Sequence, residues 1–218
     1  MCNLYSSTKG LDTIGKIVDR LECGQASGFE PLPAIFSDQI APVISRDAAG
    51  LRAIERMRWG FPPLPYWPCR GAVLTVRDGR SAYWRQWLGA GHRCLVPATA
   101  FCARPDNSEV PTWFAQPPKE DDLRPLFFFA GLCRTWKGQR GTNEGPVDGE
   151  HRLFSFLTTE PNAVVGIVST GAMPVILTTS AEVDLWLDGP LDEALSLQHP
   201  VPDDRLTVVS RGPLLDWV

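Results

Sequence analysis

No stretch of this chain runs far without a breaker. Its 218 residues carry 20 prolines and 19 glycines. Both interrupt a helix, because proline lacks the amide donor and glycine loses the most backbone entropy on ordering. Between the breakers lie short apolar runs, in a chain that is 44% hydrophobic and 21% charged. This profile excludes a helical bundle and a disordered chain. It predicts an α+β fold, a single domain over 1–218 with many short, mostly antiparallel strands and a few short helices.

Periodicity refines that expectation. LDTIGKIVDRLEC (11–23) has apolar residues at 11, 14, 17, 18 and 21, which is helical spacing. SAYWRQWLGAG (81–91) reads as a helix capped by Ser81 and closed at Gly89, SAEVDLWLDG as one opened by Ser180, and DEALSLQH as another. Strands are expected at APVIS, at the start of RAIERMRWGFPPLPYWPCRG, and at AVLTVRD, RCLVPATAFCAR, LFSFLTTEPNAVVGIV, MPVILTT and LTVVSRG. TWFAQ and PLFFFAGLCRTW look like paired strands joined by the acidic turn PPKEDDLR. Prolines mark FEPLPAIFSDQ as loop, and the polar, Gly-rich KGQRGTNEGPVDGEH (137–151) reads as a mobile loop.

Several classes of protein are disfavoured. No apolar run approaches the ~20 residues that span a bilayer, and the N-terminus lacks the basic and apolar regions of a signal peptide. A cytoplasmic protein with reduced cysteines is therefore expected, with no membrane partner. The six cysteines (2, 23, 69, 94, 102 and 133) form no C-x-x-C pair, and histidines stand only at 92, 151 and 199. A metal or other cofactor is not expected. The net charge of −4 is unevenly spread. From Arg46 to Arg104 there are ten arginines and no lysine against Asp47, Glu55 and Asp78, a balance of +7 that leaves −11 for the remainder. Forked guanidinium donors suit phosphates, and they equally suit a solvated surface.

Chemistry first draws attention to Cys2, directly behind the initiator methionine. Removal of Met1 leaves a residue with a free amine titrating near ~8 beside a thiol near ~8.5, both partly reactive at neutral pH. Amine and thiol two carbons apart condense together with an aldehyde: the amine forms an imine, and the thiolate closes a thiazolidine ring. An internal cysteine cannot do this.

The succession MCNLYSSTKG, RWGFPP, VRDGRSAYWRQWL, RCLVPATAF, FLTTEPNAVVG and AMPVILTT resembles the SRAP (SOS-response-associated peptidase) family, from residue 1 to about 212. The resemblance implies a barrel-like antiparallel sheet. It also implies a monomeric sensor of abasic sites in single-stranded or junction DNA, which traps the ring-opened sugar on Cys2 as a thiazolidine crosslink. Asn3, Arg58, Trp59, Gly60, Arg77, Arg85, Met173 and Pro174 then fall on the DNA side. Trp59 is either a stacking face or a core residue, and Arg77 and Arg85 are either phosphate ligands or structural ion pairs. Three positions depart from the family pattern: Thr75 replaces an asparagine, Ala103 a glutamate and Ser169 a histidine. Acid–base assistance is worth about 10²–10⁴-fold, so capture is expected to be slow, sustained by proximity alone. Two further readings stay open. One is a catalytically inactive DNA-binding or interaction module. The other is an N-terminal-nucleophile cysteine hydrolase of peptidase type, which would need an oxyanion hole and a base. Cys102, beside Ala103, reads as a small apolar filler.

Overall fold

The structure, a computed structural model, describes residues 3–19, 21–22, 30–62, 72–105, 110–142 and 145–212. Fourteen strands follow one another among these residues: β1 Leu4–Ser7, β2 Leu21–Glu22, β3 Leu32–Phe36, β4 Ile40–Arg46, β5 Arg52–Trp59, β6 Thr75–Val76, β7 Arg93–Ala98, β8 Ala100–Ala103, β9 Thr112–Ala115, β10 Phe127–Thr142, β11 Gly145–Thr159, β12 Met173–Pro174, β13 Ile176–Leu177 and β14 Thr207–Arg211. Five short helices are interspersed: α1 Leu11–Gly15, α2 Ala82–Arg85, α3 Ala163–Gly166, α4 Ser180–Asp188 and α5 Leu191–Ala194.

The long strands close on themselves. β4 pairs antiparallel with β5 and β7, β7 with β10, and β10 with β11. β11 then returns to β5 in parallel through Leu153↔Arg58 and Phe154↔Trp59. This five-stranded mixed barrel leaves no free edge around its ring. A second, antiparallel sheet runs β14-β9-β8-β1-β3. The chain crosses from barrel to sheet at Thr99, between β7 and β8. There the Thr99 amide donates to Ser6 O at 2.7 Å, and its hydroxyl lies 3.2 Å from that of Thr8. Alternate residues on the strands separate into two cores. One joins Val43, Met57, Trp59, Val96, Phe129, Phe154 and Phe156 of the barrel to Tyr5, Ile35, Phe101 and Phe114 of the sheet. The other packs Ile44, Leu95, Phe128 and Leu153 against Val183, Trp186 and Leu187 of α4.

Several expectations are corrected. LFSFLTTEPNAVVGIV is strand only to Thr159; Asn162 then caps the helix α3, its side-chain oxygen accepting from the Val165 amide. The helix over 11–23 stops at Gly15, and Leu21–Glu22 instead pairs in parallel with β5. The helix at 81–91 ends at Arg85, and α4 is capped by Thr179 in a capping box with Glu182 rather than opened by Ser180. FEPLPAIFSDQ contains the strand β3; its Pro33 is tolerated because β3 is an edge. TWFAQ does not pair with PLFFFAGLCRTW, since β9 pairs with β8 and β14 while β10 pairs with β7, β11 and β13. The supposed loop 137–151 is the far half of the β10–β11 ribbon, in register from Lys137↔Glu150 to Thr142↔Gly145. Gly138, Gly145 and Gly149 take φ values of +143°, +118° and +141° there, backbone that side chains resist. Among the described residues no helix is long and apolar enough to cross a membrane.

Candidate functional site

Cys2 lies outside the described residues, so the site is built from its neighbours. β1 and β8 run antiparallel with Tyr5↔Phe101 and Ser6↔Ala100. Continuing that register sets Asn3, exposed, across from Ala103. Ala103 is 3% exposed and belongs to the core shared by barrel and sheet. The end of β1 therefore meets an apolar wall at the position where a carboxylate was considered.

Three more predicted residues lie along β11. Thr75 pairs with Phe156, a member of the shared core, so its side chain stands on that side of the sheet. Met173 pairs with Thr159 and Pro174 with Thr158. Both are buried, and Met173 Sδ accepts from the Asn162 amide at 3.3 Å. Arg77 follows β6 and is exposed. The Gln198 side-chain amide donates to Arg77 O at 2.8 Å and to Thr158 O at 2.9 Å, fastening the two strand ends together. Ser169 ends the turn after α3, its amide donating to Val165 O at 2.9 Å, and is 2% exposed.

The fold also delivers groups that sequence reasoning missed. Glu160, exposed, has its carboxyl held below the usual range by its own backbone amide and by the Thr159 hydroxyl at 3.0 Å, with Arg77 and His199 adding favourable charge. Arg77, Glu160 and His199 thus stand near one another on one rim. No local motif signals it, because β6, β11 and the segment after α5 meet only in the fold.

Trp59 occupies the core, the simpler of its two expected roles. It is fully buried, stacks on Phe154 at 6.3 Å and meets Tyr5 edge-on at 5.3 Å. Its indole N–H donates to Leu74 O at 2.9 Å. The ring has no face to offer a base. Arg58 is turned inward: its Nη1 donates to Asp38 O at 2.5 Å, while Arg140 Nη2 lies 3.0 Å from Asp38 Oδ1. Gly60 is required by this packing. Its φ is +115°, and a Cβ would stand 2.9 Å from Ala72 Cβ and 3.2 Å from Arg140 Nη2. Arg85 makes an exposed pair with Asp192 at 3.3 Å.

Among the described residues, the arginines of 46–104 do not converge on one groove. Arg52, Arg46 and Arg93 sit side by side on β5, β4 and β7 and gather at the C-terminal end of α4. Arg52 reaches Asp184 at 2.7 Å and Asp188 at 2.5 Å, Arg46 reaches Asp188 at 2.5 Å, and Arg93 donates to Gly189 O at 2.7 Å. Three adjacent like charges are held there by two carboxylates and the negative end of a helix dipole. Cys102 fits the filler expectation: burial pushes its thiol up to about 11, although Arg104 opposes the shift.

Taken together, Ala103, Met173 and Phe156 belong to one buried apolar cluster behind the end of β1, and Arg77 and Glu160 are exposed beside the strand ends. At positions 103 and 169 the chain has no side chain able to carry a proton at neutral pH.

A family model described as SOS response associated peptidase (SRAP) matches residues 1–211. Among curated proteins no sequence match was found. Solved structures share the fold at low identity. A protein from Bordetella bronchiseptica is 20% identical, covers 96% of this chain and 100% of its own, and superposes with a TM-score of 0.69. A phage-related protein from the same organism is 18% identical, with 95% and 93% coverage and a TM-score of 0.67. A protein from Bacteroides thetaiotaomicron is 20% identical, with 96% and 92% coverage and a TM-score of 0.63.

Proposed function

The chain belongs to the SRAP family, and from that premise we propose that it binds single-stranded or junction DNA and captures abasic sites slowly on Cys2. The observation that carries this reading is a convergence. Asn3 at the start of β1, Ala103 on β8, Thr75 beside β11 and Met173 on β12 all border one shared core. Arg77 stands at the rim of that core, where a phosphate would pass. An N-terminal aminothiol emerging from β1 would meet the sugar aldehyde against an apolar wall.

In this reading the residues act chiefly by position. The Cys2 amine attacks the aldehyde carbon, the carbinolamine loses water to give the imine, and the thiolate adds to the same carbon to close the ring. Protons for loss of water come from solvent, since Ala103 supplies none. Burial of Ala103 and Ser169 also favours the second reading, in which the scaffold binds DNA without bonding to it. The test is to incubate the purified protein with single-stranded DNA carrying one abasic site, alongside Cys2→Ala, and to measure binding by anisotropy and bonding by denaturing electrophoresis. Binding with a Cys2-dependent, heat-stable adduct supports capture. Binding without an adduct establishes the module, and absence of binding overturns both readings.

A further inference from the structure

At the end of the barrel whose interior is polar lies a pair of sulfurs, Cys94 and Cys133. Strand alternation puts Ser45 on β4, Glu55 on β5, Cys94 on β7, Cys133 and Thr135 on β10, and Arg152 on β11 on the same side as Val43, Met57, Val96, Phe129 and Phe154. These five strands form the closed ring, and its tight curvature draws diagonal neighbours on the inner side together. Ser45, Cys94 and Cys133 are 0%, 0% and 3% exposed. Above them Arg152 bonds Glu55 Oε2 through Nε at 3.0 Å and Nη2 at 2.8 Å, and Thr135 Oγ1 through Nη1 at 2.9 Å. The Arg152 and Glu55 side chains are 37% and 30% exposed, so this polar layer is the boundary between the thiols and solvent.

Cys94 faces Gly131 across the β7–β10 pairing, and Cys133 is the next residue along β10 on that side. A Cβ at Gly131 would come within 2.8 Å of Cys94 Sγ. The glycine leaves the room that this sulfur fills, and the two thiols are hydrogen-bonded to each other. That hydrogen bond, with the Arg152 charge, holds the Cys133 thiol below its ordinary range against the effect of burial. Burial, with the same bond, pushes the Cys94 thiol well up. The sulfurs are also unequal in position: Cys133 is the one nearer the Arg152 layer and solvent, 3% exposed against 0% for Cys94, so a small oxidant reaches it first. Cys102 belongs to a separate cluster with Ala100, Trp113 and Ala115.

We propose that Cys94 and Cys133 are a peroxide-sensitive pair that closes to a disulfide across β7 and β10. The Cys133 thiolate attacks one peroxide oxygen and the O–O bond breaks, leaving a sulfenic acid and a hydroxide that takes up the displaced proton as water. The Cys94 thiol then attacks the Cys133 sulfur. The S–S bond forms, the S–OH bond breaks, and a second water leaves. Two thiols have given two electrons to one peroxide. Both cysteines already sit on neighbouring strands of the ring, so the bond forms without a change of topology.

The test uses the full chain and hydrogen peroxide under native conditions, followed by denaturation, alkylation and peptide mapping. A Cys94–Cys133 linked peptide should accumulate while Cys102 is alkylated as a free thiol in the same sample. In Cys94→Ser, Cys133 should instead advance to sulfinic acid; in Cys133→Ser, Cys94 should stay reduced. Recovery of both Cys94 and Cys133 as free thiols from the unsubstituted protein, after peroxide has oxidised Cys2, overturns the proposal, as does a link from either to another cysteine. The readout needs no DNA, so it stands or falls apart from the capture reading.

Discussion

Trp59→Leu separates a core tryptophan from a base-stacking one. The indole fills space between Tyr5, Phe154 and Phe156 and satisfies the Leu74 carbonyl. Truncation of a buried tryptophan to alanine costs about 3–5 kcal/mol, and leucine retains part of the volume, so about 2–3 kcal/mol is expected from packing. An unpaired buried carbonyl adds about 1–3 kcal/mol. The sum, about 4 kcal/mol, corresponds to a Tm lower by about 8–16 °C for a domain of this size. Had Trp59 stacked on a base, its loss would weaken binding by about 1–3 kcal/mol, or roughly 5- to 150-fold. The assay pairs a circular-dichroism melt with anisotropy on single-stranded DNA, at a temperature where both proteins are folded. The expected result is the large Tm drop with Kd changed less than about twofold. An unchanged Tm with tenfold weaker binding would refute the assignment of Trp59 to the core.

Other perturbations probe the supports of the site. Gly60→Ala forces a side chain into left-handed backbone and against Ala72. It should destabilise by at least about 1–2 kcal/mol in urea melts, and a neutral result would contradict the close packing there. Arg77→Ala should weaken DNA binding evenly across sequences and lower the salt slope by about one, with little change in Tm. Burial works against the Asp188 carboxylate, but hydrogen bonds from Arg52 and Arg46 outweigh it and hold its pKa below the ordinary range. A depressed carboxylate stabilises the fold above its unfolded pKa of about 3.9 and loses that contribution as pH falls through its lower folded value. Stability should thus fall off below about pH 4, and Asp188→Asn should flatten that acid limb while lowering stability at pH 7.

Strand-forming runs were legible wherever one face or both faces are buried, as in RCLVPATAF and LFSFLTT. Legibility failed where the partner decides. β10–β11 continues beyond the core as a ribbon whose Lys137–Glu150 end is polar on both faces, so it shows no alternation to read. The helix over 11–23 breaks because Leu21 finds a sheet partner in Arg52, which outweighs local spacing. The arginine surplus was visible as charge. Its destination was not, because Asp184 and Asp188 lie far along the chain from Arg46 and Arg52. Ala103 drew attention only through its place in a motif, and the fold sets it across from the continuation of β1. Glu160 and His199 were not recognised, since only the fold brings them towards Arg77.

The most direct measurement is the intact mass of the product formed with abasic single-stranded DNA. The account predicts a covalent species equal to the protein without Met1 plus the DNA less one water, absent in Cys2→Ala. It should form slowly, and faster in Ala103→Glu if that carboxyl reaches the reacting amine. A protein that keeps Met1, or one that binds the DNA and yields only the separate masses, contradicts it.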